Sequence, residues 1–90
     1  MAQDPRIKEL MGIPGVGKSI ANDLVRIGIS EIMDLRGCNP EELYGKSNAL
    51  AGCVQDRCLL YVFRCAVYFA ETKKPDPELL KWWNWKDKKS

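Results

Sequence analysis

Gly12-Ile13-Pro14-Gly15-Val16-Gly17-Lys18-Ser19 decides the fold, because it satisfies two incompatible patterns at once. Read literally it is G-x-x-x-x-G-K-[ST], a glycine loop that cradles nucleotide phosphates with its Ser on magnesium. Such a loop follows a buried strand of a parallel sheet. What precedes Gly12 is Arg6-Ile7-Lys8-Glu9-Leu10-Met11, with Ile7, Leu10 and Met11 at helical spacing behind an Asp4-Pro5 start. No apolar run ending in Asp offers a second magnesium ligand, and no segment alternates with the period of a strand. The second pattern uses the same backbone physics without a sheet: two helices joined by a tight Pro-Gly-Val-Gly turn. Gly15 and Gly17 are free to take positive φ there. Their N–H groups and the open N-terminus of the second helix form an anion site, with Lys18 as an added charge.

Outward from this turn the chain reads as helices separated by proline and glycine. The first is expected over about 5–11 and the second over about 18–27, where Ile20, Leu24 and Ile27 repeat and Gly28 supplies a left-handed C-terminal residue. Ser30 caps a short segment that Gly37 ends. Asn39-Pro40-Glu41-Glu42 is a capping box that opens a fourth helix, weakened inside by Gly45 and turned at Gly52. The nearly unbroken apolar run from Cys58 to Ala70 predicts a central helix over about 54–71, surrounded on most sides. Arg57, Tyr61, Arg64 and Tyr68 form one polar-tipped stripe on it, in which at least one arginine is expected to pair internally or cap carbonyls. Asp76-Pro77 starts a C-terminal helix over about 77–85, whose Trp82, Trp83 and Trp85 are expected to anchor it, with at least one ring partly exposed. The chain is thus predicted to be all-α, a bundle of about five to six helices in a single domain over 1–90.

The 90 residues, 46% hydrophobic and 29% charged, suit one domain with a modest core. Net charge is only +2, and residues 1–45 carry five Lys/Arg against seven acids, while 46–90 carry nine against five. That balance predicts few phosphate contacts. No histidine exists to serve as a general base, and no carboxylate pair falls at an evident catalytic spacing, so no enzyme is expected. Cys38, Cys53, Cys58 and Cys65 include no Cys-x-x-Cys pair, and Cys58 and Cys65 lie about 10 Å apart along one helix. Metal is therefore not expected, and the thiols are predicted to be buried and structural. The first residues lack a basic segment followed by an apolar run, and no membrane span is evident. A reducing, cytoplasmic setting and no membrane partner are expected.

The turn resembles the helix-hairpin-helix family. The family's signature is a hydrophobic residue, then Pro-Gly-(Val/Ile)-Gly, three residues and a small residue, and it appears here as Ile13, Pro14-Gly15-Val16-Gly17 and Ala21. The resemblance covers a hairpin motif over about 5–28. It implies sequence-independent DNA binding through backbone amides, with a monovalent cation often held by hairpin carbonyls and no other cofactor. The site residues it points to are Gly15, Val16, Gly17, Lys18 and Ser19, with Asn22 and Arg26 on the same face of the second helix. Such hairpins usually come in pairs, and Ala49-Leu50-Ala51-Gly52-Cys53 is a candidate for a degenerate second one, without Gly-x-Gly. Over nearly its full length the chain also looks like small bacterial helix-hairpin-helix proteins named after a pathogenicity locus and sometimes labelled mitomycin resistance proteins. The turn, the stretch Asp56 to Ala70 and the stretch Pro75 to Trp85 carry that likeness. A second function class stays open, a protein-interaction or dimerisation domain in which the hairpin is structural and the tryptophan-bearing segment meets a partner.

Overall fold

Side-chain caps set most of the helix boundaries. The computed structural model describes residues 4–86. Among them are four α-helices, α1 (Pro5–Leu10), α2 (Lys18–Arg26), α3 (Pro40–Ala51) and α4 (Arg57–Glu71), three short 3-10 turns and no strand. Asp4 accepts the Arg6 N–H at 2.9 Å and Asn39 accepts the Glu41 N–H at 2.9 Å, each with proline in the first turn behind it. These residues cap by satisfying one orphan donor of a new helix. At the other end of α2, Gly28 (φ 101°) lets its own N–H reach Val25 O at 3.1 Å and the Ile29 N–H reach Leu24 O at 2.9 Å. That paired closure leaves few orphan carbonyls.

Four α-helices, rather than five to six, result because two expected helices are 3-10 turns. Ile32–Leu35 is one, and Asp34, not Ser30, organises it by accepting the N–H groups of Ser30 and Glu31 at 2.9 and 3.2 Å. The C-terminal segment is the other, split into Pro77–Leu80 and Trp82–Trp85. Glu42 does not complete a capping box with Asn39, which caps α3 alone. The central helix starts at Arg57 and not Val54, because Asp56 accepts the Cys58 N–H at 2.9 Å and so becomes the cap.

The core gathers on α4. Leu59, Leu60, Val62, Phe63, Cys65, Ala66 and Val67 are buried, and Leu10, Ile13, Leu24, Leu35 and Leu43 from the other elements close around them. α3, the Ile32–Leu35 turn and the C-terminal turns pack directly on α4, while α1 packs on α2 and α2 on α3.

Candidate functional site

Ile13-Pro14-Gly15-Val16 is a β-turn closed by the Val16 N–H on Ile13 O at 3.0 Å. Proline at the second position and Gly15 at the third, with φ 86°, are what a type II turn demands. Ile13 (1% exposed) and Val16 (6%) plug into the core on either side of the exposed Gly15 and hold the turn down. Gly17 departs from the expected left-handed form: its φ is −92°, extended backbone that leads into α2 as the N-cap residue. No side chain caps α2. Among the described residues, the N–H groups of Gly15, Gly17, Lys18 and Ser19 therefore have no acceptor, and all four residues are exposed. Val16 differs, since its N–H closes the turn and its side chain is in the core.

Ala21 is buried where α2 crosses the core, while Lys18, Asn22 and Arg26 are exposed and recur every four residues. The expected site residues thus fall on one exposed stretch, Val16 excepted. The carbonyls of Leu10 and Ile13 each accept one N–H within the turn and keep a second lone pair.

The α3–α4 turn is built otherwise. Asn48 Oδ1 accepts the Gln55 N–H at 2.9 Å, the Cys53 N–H reaches Asn48 O at 3.3 Å, and the Tyr44 hydroxyl donates to Gln55 O. The Gly52, Cys53 and Gln55 N–H groups are used internally, and the Asp56 carboxylate stands at the start of α4, where a phosphate would be repelled.

Two features near the first turn were not legible in the sequence. Trp82 packs against Gly15 so closely that a Cβ there would stand 3.2 Å from Trp82 Cδ1. Beside this contact lies a groove of about 360 Å³ lined by Gly15, Ile20, Asp23, Gln55, Asp56, Cys58, Leu59, Val62 and Trp82. No local signal links these residues, because the groove exists only where the C-terminal turns return to the α1–α2 turn.

The arginine stripe is structural in part. Arg64 Nη1 donates to Trp85 O at 2.8 Å and Nη2 lies 3.4 Å from Glu41 Oε1, while Arg57 lies over the Tyr44 ring at 6.0 Å. Trp82 and Trp85 are half-buried and Trp83 is 48% exposed. The thiols are not uniformly buried: Cys65 is, Cys38 is half-buried, and Cys53 and Cys58 are exposed, because the turn after α3 and the first turn of α4 lie outside the core. Burial pushes the Cys65 thiol up, whereas Cys58 is pushed up chiefly by its hydrogen bond to the Asp56 carboxylate. Among the described residues no group of three or more Cys, Asp or Glu could hold a metal, and no helix is long and apolar enough to cross a membrane.

A small all-α chain whose α1–α2 turn leaves backbone amides open is the class that fold and site define. The chain belongs to the Cdd1 family, described as pathogenicity locus, whose match spans residues 3–90. A curated relative is the mitomycin resistance protein McrB of Streptomyces lavendulae, 39% identical over 77 residues, covering 86% of this chain and 70% of the relative. No solved structure matches it.

Proposed function

We propose that this chain binds nucleic acid, DNA foremost, through the phosphate backbone, without reading sequence and without performing chemistry. On this reading the α1–α2 turn is a helix-hairpin-helix hairpin in a protein of the cytoplasm. The observation that carries it is the run of exposed backbone donors without acceptors, Gly15, Gly17, Lys18 and Ser19, at the uncapped N-terminus of α2. An anion there satisfies orphan N–H groups and meets the positive end of the helix dipole, a contribution of about 0.3–1 kcal/mol from the dipole alone. Lys18, Asn22 and Arg26 extend the contact along α2, and Val16 serves it by packing. With two cations on this face, the salt dependence is expected to be shallow, near a slope of about 2 in log affinity against log salt. The relative's name, mitomycin resistance, names an outcome and no reaction.

The test is fluorescence anisotropy with short single-stranded and duplex DNA across a salt series, using the parent, Gly17→Val and Lys18→Ala. Gly17 is the informative glycine. Its backbone is extended and nothing lies within 4 Å of a Cβ placed there, so valine fits and only obstructs the approach of a phosphate. A side chain at Gly15 would also displace Trp82. Gly17→Val is expected to lose binding with its helicity intact, and Lys18→Ala to flatten the slope by about one. A folded Gly17→Val variant that binds like the parent would sink the reading.

A second reading has an observation of its own. Leu50 and Val54 are 51% and 82% exposed around the α3–α4 turn, and Trp83 is half exposed, so these apolar side chains could meet a protein. Absence of DNA binding even at low salt would favour that interaction domain.

A further inference from the structure

We propose that the groove beside the α1–α2 turn receives one unstacked nucleobase of the bound strand, guanine in preference, so that a protein that reads no sequence in paired DNA favours DNA with an unpaired base. This rests on the DNA-binding reading above. At about 360 Å³ the groove falls within the range of about 300–1,000 Å³ that holds small organic groups. Gly15 belongs to both features: it offers an N–H to the phosphate and forms part of the groove wall. One sugar separates a base from its phosphate, so a nucleotide held at the turn has its base within reach. Ile20, Leu59 and Val62 supply apolar wall, and Trp82 supplies an aromatic ring of the kind on which bases stack.

The polar rim selects what enters, because its side chains present acceptors. Gln55 Nε2 donates to Ser47 Oγ at 2.9 Å and to Asn48 Oδ1 at 3.2 Å, which leaves Oε1 as its free atom. Asp56 accepts the Cys58 N–H through Oδ1 and brings a carboxylate to the rim. The Asp23 carboxylate has no hydrogen bond or ion pair among the described residues, and burial pushes it above the usual aspartate range against the pull of Arg26. Guanine places N1–H and N2–H₂ side by side, a two-point match to a carboxylate. Adenine and cytosine offer one amino group each. Thymine offers one N–H between two carbonyls that the rim repels. In a duplex these donors are already paired, hence the preference for a bulge, a mismatch or a single strand. An arginine side chain would also satisfy the carboxylates, but nothing ties it to the amides of the turn.

The experiment measures binding of the parent and Asp23→Asn to short duplexes that are fully paired or carry one unpaired guanine, one unpaired thymine or an abasic position. A further duplex with unpaired 2-aminopurine reports burial of the base by its emission. Unpaired guanine is expected to bind about tenfold tighter than unpaired thymine, the discrimination of one good bidentate contact. Asp23→Asn is expected to bring that ratio close to one, and 2-aminopurine emission is expected to be quenched on binding. Equal affinity for guanine, thymine and abasic duplexes overturns the proposal, as does an arginine-rich peptide that binds the parent but not Asp23→Asn while an unpaired base adds nothing. If that advantage is absent but Gly17→Val still loses binding to paired DNA, only the groove proposal falls. If no DNA binds at low salt, the DNA-binding reading falls and takes the groove with it.

Discussion

Asp56 shows how one side chain sets both a boundary and a pH response. Its carboxylate accepts the Cys58 N–H, and that hydrogen bond to the charged form holds its pKa below the usual aspartate range. A carboxyl whose pKa is lower in the folded state stabilises the fold at pH above its unfolded value, about 3.9, and that contribution is lost as pH falls through the folded value. Asparagine caps about as well and does not titrate. Asp56→Asn should therefore keep α4 intact at neutral pH and lose less stability than the parent below about pH 4, as thermal unfolding followed by circular dichroism at stepped pH would show. Equal acid sensitivity in the two proteins would mean that other carboxylates dominate the acid limb. Gly15 is the complementary case on the backbone. A type II turn needs a left-handed third residue, and Trp82 then takes up the space that a side chain would fill.

At the scale of elements, the C-terminal segment explains why proline, an N-cap and apolar spacing did not yield a helix. Continuing the helix past Leu80 would require the carbonyls of Glu78, Leu79 and Leu80 to accept N–H groups four residues on. Side chains take them instead: Asn84 Nδ2 donates to Glu78 O at 2.6 Å, Trp85 Nε1 to Leu79 O at 2.7 Å, and Cys65 Sγ lies 3.4 Å from Leu80 O. Tyr68 adds a ring contact to Trp85 at 5.4 Å and accepts the Asp76 N–H at 2.8 Å. Arg64 fastens the far end through Trp85 O and Glu41. Arg64→Ala is expected to cost about 1.5–3 kcal/mol, the range for hydrogen bonds from a charged donor, and to shift tryptophan emission to the red as Trp85 loosens. Arg64→Lys should recover only part, because one ammonium cannot reproduce the guanidinium fork. Unchanged emission in Arg64→Ala would show that the segment is held without this arginine.

For the molecule as a whole, stability depends on one core. A chain of this length has a total folding free energy of only about 5–13 kcal/mol. Phe63 is fully buried at the middle of α4 and is the largest such side chain. Phe63→Ala should cost about 3–5 kcal/mol, a large fraction of that total, whereas Phe63→Leu should cost clearly less because more volume is kept. Urea midpoints for the two variants would check the order, and an alanine variant with the parent's midpoint would place the core elsewhere. Because α4 also carries Leu59, Val62 and Cys58 on the groove wall, and Ile13 and Val16 sit in the same core, loosening α4 should disturb both the groove and the α1–α2 turn.

Local rules made part of this protein legible in its sequence. Asp4-Pro5, Asn39-Pro40, Gly28 and the Pro14-Gly15 turn act within a few residues of themselves. The start of α1 and α3, the end of α2 and the exposure of Gly15 and Gly17 follow from sequence, as does the apolar run that becomes the core of α4. The same rules excluded a phosphate loop on a sheet, since a helix precedes Gly12. Other features depend on what residues far apart in the chain do to one another. Gly17 is extended because the anchored Val16 and the start of α2 dictate its path, and the last segment is 3-10 because side chains from α4 and from its own turns claim its carbonyls. Cys53 and Cys58 are exposed because the connection between α3 and α4 lies outside the core, a matter of packing that spacing does not encode. The groove is the clearest instance: Gly15, Asp23, Gln55 and Trp82 share no local pattern, and only the packing of the C-terminal turns against α4 and the α1–α2 turn brings acceptors, an aromatic ring and the free amides to one place.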